Sequence, residues 1–511
     1  MLYLTGNSLT YSQLYEFWKT PQKVQLTDSA RKQIEQGHQT MLMLISTGSA
    51  PIYGINTGFG SLCNTTIPST QLSQLQYNLL RSHAAGVGKE VPPEVVRLML
   101  LLKIHALSQG YSGVSLQLVD RLLLMLNEDI IPVVFQQGSL GASGDLAPLA
   151  HLCLPLIGEG MVYYKNEKKE ATEVLRTLNL SPITLGPKEG LALLNGTQFM
   201  SAYSLYALIQ AHKLSLVADF IAALSLDVFD AREDPFDTRI AMVRKHPGQR
   251  VVSERISAIR KDSVWAKQPK KAVQDPYSFR CIPQVHGASY DVIKYAEQVF
   301  LTEFNAVTDN PLIFQDPEPT AISGGNFHGQ PLALTLDFLC MALSELGSIA
   351  ERRIFWLLAG SRGLPPFLTE NPGVNSGLMI AQYTAAALAS ANKQLCTPAS
   401  VDNIPSCNGQ EDHVSMGANA ATKLASLIEN IWQLFGIEWL TSTTAAWIRN
   451  KQENQSPITL PTHPELSKLI RCFWKECPYF AEDTYLSSRI AKAVNFLKKT
   501  DFFVLWAEKF G

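Results

Sequence analysis

The chain has 511 residues, of which 46% are hydrophobic and 17% charged, and its 43 basic and 45 acidic side chains give a net charge of −2. A chain of this length is long enough for roughly three domains. Its nearly equal numbers of basic and acidic side chains do not favour a nucleic-acid-binding surface. Because globular proteins are about 25% charged on average, the low charged fraction predicts surface that is buried between copies of this chain.

The sequence indicates neither export nor a membrane segment. Residues 1–7 lack the basic start and apolar run of a signal peptide. The longest apolar runs, such as 98–102 and 220–226, are far shorter than the roughly 18 residues that span a bilayer. Eight scattered cysteines without a Cys-x-x-Cys pair are typical of reduced thiols. We therefore expect a cytoplasmic protein without membrane contacts.

The first 200 residues alternate between short helical patterns and glycine-rich loops. Apolar spacing predicts helices near 94–108 and 114–128. Residues 161–164 are predicted to form a short strand that leads into a charged turn at 165–170. We therefore predict a smaller, mixed N-terminal region, 1–200, that carries the glycine-rich loop discussed below.

The second part of the chain has longer helical patterns. Apolar residues recur at steps of three and four over 332–357, the spacing of one helix face. Further apolar residues on other faces predict a helix that packs against more than one neighbour. Similar patterns occupy 201–229, 377–393 and 414–434. We therefore predict a mainly α fold, with a long helix bundle and a C-terminal helical extension in 201–511.

Several familiar catalytic patterns are incomplete in this sequence. Residues 58–60 begin like a dinucleotide-binding loop, but Cys63 stands where the third glycine is needed. The segment before Asp145 resembles a serine hydrolase elbow, yet Asp145 replaces its final glycine. His413 has no second histidine at helical spacing, which leaves no zinc framework. We therefore expect neither a nucleotide nor a metal, and a structural role for His413.

The segment 138–151 contains Ala142-Ser143-Gly144 and resembles the fingerprint of the aromatic amino acid ammonia-lyases. In that family an Ala-Ser-Gly triplet cyclises to the prosthetic group 4-methylidene-imidazol-5-one (MIO). The resemblance implies that Ala142 supplies the attacked carbonyl, Gly144 the attacking nitrogen, and that Ser143 loses its hydroxyl as water. Glycine permits a tight turn that a bulkier residue would strain. Asp145 is expected to assist the proton transfers, and the alternative is a helix N-terminus that Ser143 caps.

Tyr53 and His83 lie in two further blocks that resemble the same family. Residues 53–60 are similar to the loop that carries the family's tyrosine base, which implies that Tyr53 removes a β-proton. Because free tyrosine has a pKa of about 10, this role predicts cationic or helix-terminal neighbours that lower the pKa of Tyr53. Ser82 and His83 match the pair of the histidine-specific branch, which implies that His83 lies beside the substrate imidazole.

Later blocks imply groups that hold the substrate and the prosthetic group. By resemblance, Asn195 bonds the prosthetic group and the substrate amine, and Phe327 packs against the prosthetic ring. Arg280 is implied to pair with the substrate carboxylate, which suits its planar fork. Tyr277 is implied to act near the reacting carbon, and Gln274 to orient the substrate. Taken singly, each of these residues also fits a packing, surface or capping role.

Glu411 gives a second indication of the substrate. At position 411 this chain resembles the histidine-specific branch of the family, which carries a glutamate. A carboxylate suits an imidazole ring as a hydrogen-bonding partner. The resemblance implies that Glu411 binds the ring or moves its proton. The alternative is a negative residue in the first turn of the following helix, which the helix macrodipole would favour.

The resemblance covers most of the chain and implies an L-aspartase-like helix bundle that converts L-histidine to trans-urocanate and ammonia, the first step of histidine degradation. The family is homotetrameric with each site built from three subunits, so we expect a homotetramer that binds no nucleic acid. Two alternatives remain open: an MIO-dependent lyase or aminomutase acting on tyrosine or phenylalanine, and a catalytically silent helical scaffold. The positions that depart from the family pattern are Phe135, Phe279, Ile282, His286, Gly329 and Gly409.

Overall fold

The computed structural model describes residues 1–47, 51–453 and 460–510, and most of these residues are helical. The α-helices, in chain order, are α1 (Tyr11–Lys19), α2 (Asp28–Thr47), α3 (Leu72–His83), α4 (Pro93–Ser108), α5 (Leu116–Asn127), α6 (Leu146–Cys153), α7 (Ala171–Thr177), α8 (Glu189–Leu194), α9 (Gln198–Val228), α10 (Thr238–Arg244), α11 (Pro247–Arg260), α12 (Val264–Lys267), α13 (Tyr277–Arg280), α14 (Ile282–Phe304), α15 (Gln330–Leu358), α16 (Met379–Leu395), α17 (Gly417–Gln452), α18 (Pro464–Glu476), α19 (Leu486–Lys499) and α20 (Phe502–Lys509). The mainly α fold predicted from the sequence is confirmed.

The strands are short and form small sheets. They are β1 (Leu2–Leu4), β2 (Val24–Leu26), β3 (Val87–Glu90), β4 (Ile131–Pro132), β5 (Phe135–Gln137), β6 (Met161–Tyr164), β7 (Glu167–Glu170), β8 (Leu312–Phe314) and β9 (Thr320–Ile322). β1 and β2 are parallel, whereas β3 with β5, β4 with β6, β6 with β7, and β8 with β9 are antiparallel.

The strand predicted at 161–164 is present as β6, but the charged segment after it is only partly a turn. Glu167–Glu170 pairs back on β6 as β7. The turn itself consists of Lys165 and Asn166, which both have positive φ, +53° and +62°. Two successive left-handed residues match the twist of a tight hairpin, which explains why the chain reverses within two residues.

The predicted long helices are α9, α15, α16 and α17, and α17 extends well past its predicted end at 434. Threonines in this extension bond to the helix itself. The hydroxyls of Thr441 and Thr444 donate to the carbonyls of Ile437 and Leu440, at 2.7 and 2.8 Å. Such bonds to the preceding turn satisfy the hydroxyl inside a helix. α14, whose polar faces weaken the apolar pattern, was not predicted.

The described chain forms two compact units, each of which is discontinuous in sequence. The first unit comprises Met1–Tyr206, Glu297–Asp337 and Pro398–Lys423, and the second comprises the remaining segments, 207–296, 338–397 and 424–511. The division into domains 1–200 and 201–511 stays a prediction. It differs from these units because two later segments of the chain fold with the first unit.

Two helices, α9 and α15, are long and apolar enough to cross a membrane by length and composition. In the most apolar parts of α9 and α15, 83% and 67% of the residues are buried inside the protein. Such burial is usual for helices in the core of a folded protein. The absence of membrane contacts therefore stays a prediction.

One apolar face of α15 remains partly exposed in the described part of the chain. Leu334, Phe338, Met341 and Phe355 are between 38% and 42% exposed. The leucines at the regular positions of the same helix, such as Leu336, are fully buried. The sequence correctly indicated more than one apolar face, and only part of that surface is buried by the chain's own helices.

Candidate active site

A cavity of about 1010 Å³ in the first unit brings together most of the side chains predicted to act. Loops before α3, α6 and α17 and the ends of α3 and α8 contribute to its wall. The predicted site residues on the wall are Tyr53, His83, Ala142, Ser143, Asn195, Phe327 and Glu411. A cavity of this size is ample for an amino acid and a small prosthetic group.

The Ala142-Ser143-Gly144 triplet lies in a tight turn against a second piece of backbone. Gly144 has a φ of +74° and forms a bridge with Gly196. A Cβ atom at position 144 would lie 2.2 Å from the carbonyl oxygen of Gly196. Ala142 is buried against Val414 and Met416. This turn, which only glycine can complete at 144, fits the requirements of MIO formation.

The segment before α17 holds the start of this turn in place. The hydroxyl of Ser415 donates to the carbonyl of Gly141 at 2.9 Å. The backbone N–H of Met416 donates to the carbonyl of Leu140 at 2.8 Å. Two residues distant in sequence thus fix the backbone that leads into the triplet.

Asp145 is fully buried directly after the triplet. Its carboxylate accepts hydrogen bonds from the hydroxyl of Ser139 and the backbone N–H of Met200, each at 3.0 Å. Burial raises the pKa of Asp145 to about 7, although these hydrogen bonds oppose the shift. A carboxyl group with this pKa can exchange protons near neutrality. Asp145 is also the residue that precedes α6, so Ser143 does not cap that helix.

Ser143 and Glu411 are joined directly. The hydroxyl of Ser143 donates to Oε1 of Glu411 at 2.6 Å, and the hydroxyl of Ser406 donates to Oε2 at 2.6 Å. Glu411 lies several residues before α17 begins at Gly417, so it is not in the first turn of that helix. The macrodipole alternative therefore does not apply. Ser406 carried no signal in the sequence that would have identified it.

Asn195 connects the triplet to a buried lysine. Its side-chain amide donates to the carbonyl of Ser143 at 3.1 Å. The ammonium of Lys103 donates to the carbonyls of Asn195 and Ala192 at 2.6 and 2.9 Å. Burial lowers the pKa of Lys103 to about 8. Lys103 was not predicted, although a single lysine inside the apolar helix α4 was an available signal.

His83, the last residue of α3, presents a neutral imidazole to the cavity. Its Nδ1 lies 2.9 Å from the carbonyl of Leu79 and 3.0 Å from the hydroxyl of Ser82. Burial lowers the pKa of His83, against the opposing effects of Leu79 and Glu411. With the Nδ1 proton assigned to the Leu79 carbonyl, Nε2 is a hydrogen-bond acceptor.

The surroundings of Tyr53 within one chain raise its pKa, whereas its proposed role as a base requires a lowered pKa. Its phenolic oxygen accepts a hydrogen bond from the N–H of Gly60 at 3.2 Å. Burial raises the pKa of Tyr53, and the nearby Cys63, Glu411 and Cys407 raise it further, whereas the Gly60 bond lowers it. The charged groups that act on Tyr53 within the described chain are thus potential anions. The cationic neighbours expected from the sequence are not among them.

Gly144 and three further predicted residues are not on this cavity wall. Gln274, Tyr277 and Arg280 belong to the second unit, where Gln274 and Arg280 line a cavity of about 320 Å³. Tyr277 is 70% exposed, and the Arg280 guanidinium lies 4.4 Å from its ring centroid. Nε of Arg280 donates to the carbonyl of Asp275 at 3.0 Å. Among the described residues that line the larger cavity, none is a lysine or an arginine.

His413, predicted to be structural, also lies on the cavity wall. Its carbonyl is 3.1 Å from Nε2 of His328, and the two imidazole rings stack with centroids 6.0 Å apart. In the described part of the chain, no group of three or more histidine, cysteine, aspartate or glutamate side chains is arranged to hold a metal.

Replacement of Gly144 by alanine tests the tight turn. The added Cβ would lie 2.2 Å from the Gly196 carbonyl oxygen, and the alanine would have to adopt a φ of +74°. We therefore expect Gly144→Ala to lower the free energy of unfolding by about 1–3 kcal/mol. Urea unfolding measures this change. The control is Gly325→Ala, because a Cβ at Gly325 has no neighbour within 4 Å. Equal unfolding midpoints for the two variants would contradict the crowding at Gly144.

Comparison with known proteins identifies one family. Residues 9–468 match the aromatic amino acid lyase family. The chain is 46% identical to the histidine ammonia-lyase of Caldanaerobacter subterraneus subsp. tengcongensis over 448 residues, 87% of this chain and 88% of the relative. The crystal structure of histidine ammonia-lyase from Trypanosoma cruzi has a TM-score of 0.89 at 38% identity, covering 99% and 94% of the two chains. The tyrosine aminomutase from Streptomyces globisporus has a TM-score of 0.90 at 30% identity, covering 99% and 98%.

Proposed function

Because the chain belongs to the aromatic amino acid lyase family, we propose that it is an ammonia-lyase that converts L-histidine to trans-urocanate. The observation that carries this proposal is the placement of His83 and Glu411, two groups suited to an imidazole, on the same cavity wall as Ser143. The higher identity to a histidine ammonia-lyase than to a tyrosine aminomutase supports the same substrate.

Recognition of the substrate ring follows from two hydrogen-bond acceptors. Nε2 of His83 is an acceptor because Nδ1 is assigned as the donor to Leu79. The carboxylate of Glu411 is a second acceptor. A ring that satisfies both acceptors through its two nitrogens is an imidazolium, which withdraws electrons from the side chain. This withdrawal makes the β-proton of histidine more acidic and easier for a base to remove.

The residues around the triplet suit an elimination at the β-carbon. Ala142, Ser143 and Gly144 would form the MIO group, which would supply an electrophilic carbon that makes the amino group of the substrate a better leaving group. Tyr53 removes the β-proton on the same cavity wall. The amide of Asn195 bonds to the carbonyl of residue 143. To Phe327, on the same cavity wall, we assign the packing against the prosthetic ring.

The substrate carboxylate requires a cationic partner. No lysine or arginine is among the described residues on the wall, so we assign this role to Arg280 of a neighbouring copy, with Tyr277 and Gln274. An arginine arriving there would also lower the pKa of Tyr53, which burial raises within one chain. The exposed apolar face of α15 is suited to burial between copies. We propose a homotetramer with shared sites.

The thiols of the chain support a cytoplasmic location. In the described part of the chain, six cysteines are free thiols: Cys63, Cys153, Cys281, Cys407, Cys472 and Cys477. Thiols persist in reducing compartments such as the cytoplasm. The proposal therefore places this first step of histidine degradation there.

Assays with separate substrates test the proposed activity. Purified protein is incubated with L-histidine, L-tyrosine or L-phenylalanine, and ammonia and the conjugated acid are measured. We expect urocanate and ammonia in equal amounts from histidine. Turnover of tyrosine or phenylalanine without urocanate would favour a related lyase or aminomutase, and no turnover of any substrate would favour a silent scaffold.

Replacement of His83 by leucine tests ring recognition. His83→Leu removes the acceptor for the imidazole and leaves an apolar surface, so we expect kcat/KM for histidine to fall by about 100-fold or more. The relative rate with phenylalanine should rise, because an apolar ring fits the new surface. Measuring both substrates controls for a general loss of structure, and an unchanged ratio of the two rates would contradict a role for His83 in selectivity.

A further inference from the structure

We propose that Glu411 acts before any substrate binds, as the acid that drives loss of the Ser143 hydroxyl when MIO forms. This inference rests on the proposed function, since it assigns to a substrate-binding residue a second task in maturing the same site. A carboxyl group of the chain itself would thus catalyse the formation of the prosthetic group.

The geometry of the hydrogen bond carries the proposal. Oε1 of Glu411 lies 2.6 Å from the hydroxyl of Ser143, the distance of a strong bond between a hydroxyl and a carboxyl group. A group that transfers a proton must lie within about 2.6–3.2 Å of the atom that receives it. Glu411 meets this condition for the oxygen that has to leave.

The carboxyl group of Glu411 is held in place from its other side. The hydroxyl of Ser406 donates to Oε2 at 2.6 Å. The backbones of Ser406 and Glu411 exchange two hydrogen bonds, of 3.0 and 3.3 Å, in an antiparallel bridge. The side chain is therefore fixed toward Ser143 by a local structure that does not include the substrate.

The two neighbouring carboxyl groups, of Asp145 and Asp412, are not hydrogen-bonded to the Ser143 hydroxyl in the described chain. The two oxygens of Asp145 accept bonds from Ser139 and from the backbone of Met200. Asp412 lies on the cavity wall, but within the described chain no hydrogen bond joins it to Ser143. Glu411 is thus the carboxyl group in direct contact with the hydroxyl.

The chemistry balances without an oxidant or reductant. In ring closure, the nitrogen of Gly144 bonds to the carbonyl carbon of Ala142, and the carbonyl oxygen leaves as water with the amide protons of Ser143 and Gly144. In dehydration, Glu411 acts in its protonated form: the hydrogen bond to Ser143 reverses, and the carboxyl group donates its proton to Oγ as the Cβ–Oγ bond breaks. The electron pair of the Cα–H bond forms the double bond to Cβ, and the released proton restores the carboxyl group of Glu411.

The same step prepares the site for its substrate. While Ser143 keeps its hydroxyl, both oxygens of Glu411 are engaged, by Ser143 and Ser406. Loss of the hydroxyl removes the partner of Oε1. Glu411 then has a free acceptor for the imidazole ring, so maturation and substrate recognition use one oxygen in succession.

The experiment follows the mass of newly made full-length protein with time. Wild type is compared with Glu411→Gln, which keeps the size of the side chain but cannot donate an acidic proton, and with Asp412→Asn, the same change one residue away. Only protein that elutes with the wild-type oligomer is weighed. We expect wild type and Asp412→Asn to become about 36 Da lighter as two waters leave, and dehydration in Glu411→Gln to slow by about 100-fold.

Maturation of Glu411→Gln at the wild-type rate would overturn the proposal, whatever the activity of that variant. If Glu411→Gln does not elute with the wild-type oligomer, Glu411→Asp decides the question. Its shorter side chain lengthens the 2.6 Å contact, so slow maturation supports the proposal and a wild-type rate overturns it. A wild-type protein that keeps its full mass would instead refute the proposed function, which separates the two failures.

Discussion

Ser143→Ala is expected to abolish urocanate formation, lowering kcat by at least about 10³-fold. Without the hydroxyl at position 143 no methylidene carbon can form, and the amino group of histidine remains a poor leaving group. The side chain of Ser143 is only half-buried and bonds to Glu411, so its removal should leave the fold intact. Steady-state urocanate formation at saturating histidine measures the effect.

The control for this variant is Ser46→Ala, on the exposed part of α2. Its hydroxyl donates to the carbonyl of Met43 in the same helix, at 3.0 Å, so we expect activity close to wild type. A Ser143→Ala protein that is as active as wild type would contradict the account, because the triplet would then have no role in the reaction. Such a result would favour a chemistry that does not use the triplet.

Tyr53→Phe is expected to lower kcat by roughly 10²–10⁴-fold, the usual contribution of a general base, while the protein still matures. The phenolate form must accept the β-proton, so the rate should rise with pH through the pKa of Tyr53. Within one chain that pKa is raised, first of all by burial. Removing a cation supplied by a neighbouring copy, as in Arg280→Gln, should therefore move the rising limb of the pH profile to higher pH.

Mixing the two variants tests whether the site is shared. Tyr53→Phe and Arg280→Gln are each expected to be nearly inactive alone. In mixed oligomers, some sites combine the Tyr53 of one copy with the Arg280 of another, and about a quarter of wild-type activity should return if subunits assemble at random. If both residues came from the same chain, every site would carry one defect. No recovery in co-expressed, co-purified oligomers would then contradict a shared site.

The mainly α fold class could be predicted from the sequence, because the spacing of apolar residues directly reflects which helix faces are buried. The pattern over 332–357 identified α15, and the exposed side chains on its second face, such as Phe338, explain why it is apolar on several sides. The extension of α17 was not accessible, because Thr441 reads as polar unless its bond to the helix backbone is known. The discontinuous units depend on long-range contacts that spacing does not encode.

Part of the site could be predicted from the sequence, because its residues lie in recognisable motifs. Residues in recognisable blocks, such as Tyr53 and Glu411, do meet on one cavity wall. Ser406 and Lys103 were missed, because their roles come from single contacts, to Glu411 and to the carbonyl of Asn195. The motif around Arg280 did not show either that this residue belongs to the second unit, whereas the cavity wall belongs to the first.

The mass of a fully active preparation decides whether this chain forms and uses MIO. A protein that uses MIO must be lighter than its translated sequence by two waters, about 36 Da, with the deficit in the peptide that contains Ala142, Ser143 and Gly144. We predict this deficit in preparations that form urocanate, and its absence from Ser143→Ala. An active preparation in which that peptide has its full mass would contradict the account.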